Sequence, residues 1–349
     1  MPESYEFLTK QLNATVLNKY NILGDGMPAA LFPILSGKTE FELPDAKKRV
    51  PGSGFMDETQ FIFHRVKKIG YQAAYFEDLL RVYSGTYQYR FNGFRRQPAD
   101  HYLSHLLRED QSNEFCFGGA PRFQFMMNLT EQFFELPGKH FIFTLISDIT
   151  HNDINYLHNA DKPLVEVLER LEKQGTFQNT LLIVMGDHGS RIKRFRYTYQ
   201  AKLEERLPFM AIRLPDKLKA AKPIAQKALQ GNVDVLTTAH DIHATILDIV
   251  GLKKYLNPYK VKGADLPRAM SLIRKVPRNR SCSEAGIEPH WCTCLRWEEL
   301  APADSMYERA ARAVVNHINH ITKSMRYKDD AKCINDIHSH LKQYCYCNS

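Results

Sequence analysis

Two short runs carry the residue types that hydrolytic or metal chemistry needs. The sharper is Leu181-Leu-Ile-Val-Met-Gly-Asp187-His188-Gly189, an apolar stretch ending on a carboxylate and an imidazole between glycines. Open α/β sheets carry their sites at the carboxyl ends of strands, so Asp187 and His188 are expected to enter that crevice. A hard carboxylate beside an imidazole suits a divalent metal, with zinc as the candidate. An Asp-His turn holding no metal is the plain alternative; the apolar strand and the flanking glycines favour the metal. The second run is Ser147-Asp148-Ile-Thr-His151-Asn-Asp153, after the apolar residues 141–146. Two strand ends that each offer Asp and His can face one crevice, as a two-metal phosphoryl- or sulfuryl-transfer site requires. For His151, a ligand or substrate contact stands against a hydrogen-bonded surface residue.

A basic run follows the first motif. Between 191 and 206, Arg191, Lys193, Arg194, Arg196, Lys202 and Arg206 stand against Glu204 and Glu205, a local excess of +4. Beside a metal crevice such charge attracts a phosphate or sulfate ester, with Arg191 and Arg196 as the substrate-binding candidates. A solvated loop is the bland alternative for most of these residues. Nucleic acid is not expected, because aromatic interleaving, Gly-rich RNA motifs and zinc-finger spacing are absent.

These residues need elements to position them. Residues 140–146 and 180–185 read as strands buried on both faces. Between them, residues 162–173 have the apolar spacing of an amphipathic helix, with Gly175 as its stop. Strand, helix and strand imply a βαβ crossover and a parallel sheet. Upstream, residues 3–12 read as helix, 15–23 as strand and 24–26 as a turn. Pro28 opens a short helix that ends at Gly37. Further helices are expected at 59–68, 241–250 and about 304–325, and strands at 73–76 and 208–214. His240 and His243 are expected to cap and pack rather than reach the site. The texture changes near 270. The expectation is an α/β domain over 1–270 and a Cys-rich extension over 271–349.

Composition bounds the alternatives. The chain has 349 residues, 44% hydrophobic and 25% charged, so a sizeable core is affordable and wholesale disorder is not expected. No apolar run approaches the roughly 18 residues of a membrane span. The net charge of +8 points to anionic partners. Of seven cysteines, only Cys116 lies before position 280. Cys-x-Cys spacing at 292–294 and 345–347 argues against a zinc finger and for disulfides in an oxidising compartment. Cys116 is the odd thiol, whose expected partner lies outside the sequence. Sequons at Asn13, Asn128 and Asn279 agree with a secretory route, whereas no basic-then-apolar leader opens the chain.

The ordered set of these segments resembles the alkaline phosphatase and sulfatase superfamily. It is most similar to a sulfatase-like domain-of-unknown-function family of nematodes and insects. The resemblance rests on Tyr20 through Lys38, Gly70-Tyr71 with Glu77-Asp78, Thr150 through Asp153, Asn179 through Gly189, Leu203 through Pro208, and Cys282 through Cys294. It implies an alkaline-phosphatase-like three-layer α/β sandwich with a mainly parallel sheet. It also implies ester-hydrolase ancestry and a place in the extracellular space or Golgi lumen. Asp187, His188 and His151 take the metal or substrate positions. Counted back from Ser36-Gly37-Lys38, the nucleophile position falls on Met27, whose thioether has no proton to lose. The superfamily also begins on a central strand ending in a metal-binding Asp, and Met1 falls just after that place. The expected protein is therefore a degenerate, non-catalytic member lacking that strand, retaining part of a metal site and binding an anionic ester or a sulfated or phosphorylated glycan. An active sulfate- or phosphate-ester hydrolase and a basic intracellular binding protein are the alternatives.

Overall fold

The computed structural model describes residues 1–43, 52–58, 61–78, 92–103, 116–151, 153–191, 197–256, 258–295, 301 and 304–322. The chain divides into two units, Met1–Leu295 and Arg296–Ser349. In the second, the described element is one largely exposed helix, Ser305–Thr322, with an i,i+4 pair between Glu308 and Arg312.

The first unit holds eight strands among its described residues: β1 Thr15–Val16, β2 Tyr71–Glu77, β3 His101–Tyr102, β4 Cys116–Phe117, β5 Ala120–Pro121, β6 Lys139–Leu145, β7 Leu182–Met185 and β8 Met210–Arg213. Its helices are α1 Pro2–Glu6, α2 Gly26–Ser36, α3 Ile62–Lys67, α4 Arg122–Glu135, α5 Asp148–His151, α6 Asp161–Lys173, α7 Tyr199–Arg206, α8 Asp216–Ala221, α9 Pro223–Gly231 and α10 Ala239–Ile249.

The strands lie between two helical layers. Phe141 and Phe143 of β6, and Ile183 and Met185 of β7, face a core built with Phe32 and Leu35 of α2, Phe63 of α3 and Ile242 of α10. The opposite faces meet the other layer. Ile142 packs with Met126 and Phe133 of α4, and Leu182 and Val184 pack with Leu168 and Leu171 of α6. Arg170 of α6 grips Glu131 of α4 through two 2.8 Å bonds, and Asp161 accepts the Ser4 N–H at 2.7 Å, which joins α6 to α1.

The sheet differs from the expected parallel one. β2 runs parallel to both β3 and β6. β8 runs antiparallel to both β1 and β7. The strand–helix–strand order over 139–185 is present, but β6 and β7 belong to different sheets and do not pair. After β7 the chain returns through α7 and lays β8 beside it in the opposite direction, which makes the architecture mixed. The expectation that β6 and β7 are fully buried is also corrected. From His140 onward every residue of both strands is half-buried, whereas all four of β8 are buried. β8 has a strand on each side; among the described residues β6 and β7 each have one.

The first unit continues past 270. Asn232, fully buried, donates to the carbonyls of Leu272 and Arg274 and accepts the Val276 N–H. Arg280 and Asp241 form a wholly buried ion pair at 2.8 Å. The Cys282–Cys292 disulfide closes the following loop. Cys116 and Cys294 are free thiols; Cys333, Cys345 and Cys347 lie outside the described residues.

Candidate active site

Helix α2 and the loop after β7 meet at one place. Asp25 is the N-cap of α2, and Met27 lies in its first turn, half-buried. The helix begins at Gly26, two residues before the Pro28 start expected from the sequence. Gly26 has φ +76°, and the guanidinium nitrogens of Arg191 stand 3.5 and 3.7 Å from where its Cβ would be. The positive φ favours glycine there, and a Cβ would be in ordinary contact with the guanidinium.

The far end of α2 is held by α10. Gly37, at φ +77°, returns its N–H to Pro33 O at 3.0 Å. His243 Nδ1 donates to Ile34 O at 2.6 Å, and Arg65 donates to His243 Nε2 at 3.1 Å. Burial pushes the His243 imidazole down to about 4, which keeps it in the neutral form this geometry needs. Arg268 adds a bond to Gly37 O at 3.3 Å. His243 thus caps the carboxyl end of another helix. His240 packs 1% exposed at the start of α10, its imidazole pushed well down by burial.

The loop after β7 carries Asp187 and His188. Gly186 donates to Phe209 O at 2.9 Å, and Gly189 donates to Glu205 O at 3.0 Å. A Cβ on Gly189 would fall 2.0 Å from Glu204 O, so helix α7 tolerates only glycine there. That helix replaces part of the solvated basic loop expected over 191–206. Arg206, at its end, is buried and lies over the Trp291 ring at 5.7 Å, so it is not part of a charged surface. The Arg206 carbonyl accepts the Ile22 N–H at 3.0 Å, which fixes the segment leading into α2.

Within this frame His188 Nε2 lies 3.5 Å from Asp187 Oδ2, and His188 Nδ1 lies 2.8 Å from Gly189 O. Arg191 bridges the two halves of the site: it forms an ion pair with Asp25 and reaches to 3.4 Å from His188 Nε2. Tyr20 is buried beneath. Burial, then the negative charges of Asp187 and Asp241, drive its phenol pKa far up, so its hydroxyl stays protonated.

Of the residues expected to act together, Asp187, His188, Arg191 and the first turn of α2 converge. His151 ends α5, just beyond β6, and its side chain lies outside the described residues, as does Arg196. The turn that carries His151 is fixed by Asp78, which accepts from Ser147 N at 2.9 Å and Asp148 N at 3.0 Å. Asp25 was missed as a site residue. Its position before the helix-opening Gly-Met-Pro was the available signal, since Asp favours N-caps. Asp187 and His188 offer the right donor atoms for a divalent metal, but a zinc site takes three or four. Among the described residues no third His, Cys, Asp or Glu joins them within ligand range. The one such group is Cys282, Cys292 and Cys294, two of which form the disulfide.

The chain belongs to the family described as protein of unknown function (DUF229), which matches residues 1–348. No curated protein matches the sequence. Among solved structures it is similar to the C-terminal periplasmic domain of EcEptC from Escherichia coli. The TM-score is 0.53 at 13% identity, covering 80% of each chain. The zinc complex of that domain gives a TM-score of 0.52 at 12% identity, again over 80% of each. It is also similar to a protein in the alkaline phosphatase superfamily from Vibrio parahaemolyticus, with a TM-score of 0.48, 12% identity and coverage of 72% of this chain and 60% of that one. A structure from the metabolism of multiple glycosaminoglycans by Bacteroides thetaiotaomicron gives a TM-score of 0.48 at 15% identity, over 73% of this chain and 66% of that one. The chain thus spans less than two thirds of these last two structures. The α/β fold is that of the EcEptC domain.

Proposed function

We propose that this chain is a degenerate sulfatase-like protein that binds an anionic ester without turning it over. The observation that carries the reading is Met27. It occupies the first turn of α2, next to Asp25 and Gly26, which meet Arg191, and at the position where the resemblance calls for a nucleophile. A thioether can neither lose a proton nor form an oxygen ester at phosphorus or sulfur. Asp187 and His188, with His151 from the β6 end, would hold a divalent metal, zinc as the candidate. Bound there, the metal would polarise an ester oxygen. Arg191 and Arg196 would bind the acid group of a sulfated or phosphorylated glycan or another anionic ester. The zinc-bound, periplasmic EcEptC domain supports both the metal and an extracellular or Golgi-lumenal location. No helix among the described residues is long and apolar enough to cross a membrane.

The reading places the lacking central strand between β6 and β7, and it is supported by the absence of pairing between these two among the described residues. The Cys-rich region is proposed to begin with the segment that follows residue 270 and to be held by disulfides.

The test is the purified chain with aryl sulfate and aryl phosphate, beside a Met27→Thr variant, with bound metal measured in both. The expected result is no turnover by the parent and retained divalent metal that Asp187→Ala removes. Turnover by the parent that Asp187→Ala abolishes would instead make it an active hydrolase.

A further inference from the structure

Among the described residues, Arg191 is the cation that stands beside both α2 and His188, yet it is already engaged. Its guanidinium lies over Gly26 at the first turn of α2 and forms an ion pair with Asp25. Asp25 is the N-cap of that helix but makes no capping hydrogen bond. Its carboxylate turns to Arg191 instead of taking up the amide N–H groups of the first turn. The ion pair is half-open to solvent, with 34% of the Arg191 side chain and 49% of Asp25 exposed. A tetrahedral anion approaching Arg191 therefore meets a guanidinium that already has a carboxylate partner.

We propose that Asp25 is the specificity-determining residue of this site, an internal carboxylate that competes with oxyanions for Arg191. The inference rests on the reading that Arg191 takes the acid group of the ligand. Two physical points support it. A carboxylate presents two oxygens to the guanidinium fork in much the same way as one edge of a sulfate or phosphate, so the two compete for the same donors. Asp25 also adds a negative charge beside Met27, where an oxyanion would gain from the helix dipole. A weakly charged or singly contacting anion is then held several-fold less tightly than one that presents two oxygens to the guanidinium.

Asparagine is as well tolerated at the N-cap position as aspartate, so Asp25→Asn removes the charge without disfavouring the helix start. The experiment titrates inorganic sulfate and inorganic phosphate into the full chain, into Asp25→Asn, and into Asp25→Asn with Arg191→Ala, by calorimetry at constant ionic strength. For a half-exposed ion pair the expected gain in Asp25→Asn is about three- to fivefold in affinity. The double variant should lose that gain. Equal, weaker or absent binding in Asp25→Asn overturns the proposal, because Asp25 would then only orient Arg191 or have no part in the site. Zinc content of the same samples separates the two ideas. Loss of metal binding with a retained Asp25→Asn gain would remove the metal reading and leave this one standing.

Discussion

Asp78 holds the β6–α5 turn with a carboxyl that is 3% exposed. Burial pushes it up to about 6, against the hydrogen bonds from Ser147 and Asp148 that favour its charged form. Its unfolded value is near the ordinary 3.8. The native state therefore holds the proton more tightly, and the stability this contributes is complete below about 4 and lost as pH rises through about 6. His243 has the opposite sign. Its imidazole is pushed down to about 4, so its contribution is present above about 6.5 and lost as pH falls. The two nearly offset each other in one window, and the parent curve alone hides both. Against an Asp78→Asn variant the parent should lose about 2 kcal/mol of relative stability between pH 4 and 6. Urea melts across that range measure it; a constant difference between the two proteins would mean that Asp78 does not titrate there.

At the scale of elements, β6 and β7 share both helical layers but no hydrogen bonds with each other. Each strand should have protected amides on its paired edge and fast-exchanging amides on the other, while β8 should be protected along both edges. Hydrogen exchange read residue by residue would show alternation over 140–145 and 182–185; uniform protection there would mean that both edges are covered. Much of this architecture was legible in the sequence. The apolar run at 140–146, the amphipathic spacing of α6 and the Gly37 stop of α2 each record a local preference. Helix α4 was missed because residues 122–135 mix aromatic and polar residues without a clean stripe. Helix α7 was missed because its charges read as a loop, whereas packing against Gly189 and the Thr198 N-cap, which accepts the Ala201 N–H at 3.1 Å, decide its conformation. Strand pairing was not legible: periodicity reports which faces are apolar, not which neighbour lies at an edge.

For the whole molecule, residues 268–292 act as a strap across α9 and α10. Arg280 is its main tie, donating to Asp241 at 2.8 Å in a pair with no solvent exposure on either side chain. Removing one partner of such a pair costs about 3–5 kcal/mol, because the other charge stays buried. The disulfide that closes the loop between Cys282 and Cys292 spans a separation of 10 residues. By loop closure it contributes about 2–3 kcal/mol. Arg280→Met should therefore lower the unfolding free energy at least as much as Cys282→Ser with Cys292→Ser. Chemical denaturation of the two variants decides the order, and a smaller loss for Arg280→Met would show that the strap depends mainly on its disulfide. The site falls within reach of this strap: Asn21, a few residues before Asp25, donates to Trp291 O at 2.9 Å and accepts from Thr293.

Among the described residues β6 and β7 each have a strand partner on one edge only, and that carries one more consequence, for how the chain behaves in company. Apolar stretches of Phe, Ile, Leu and Val at such an edge are templates for intermolecular β-addition. Residues 1–349 handled alone should therefore self-associate as concentration rises, which light scattering over a dilution series measures.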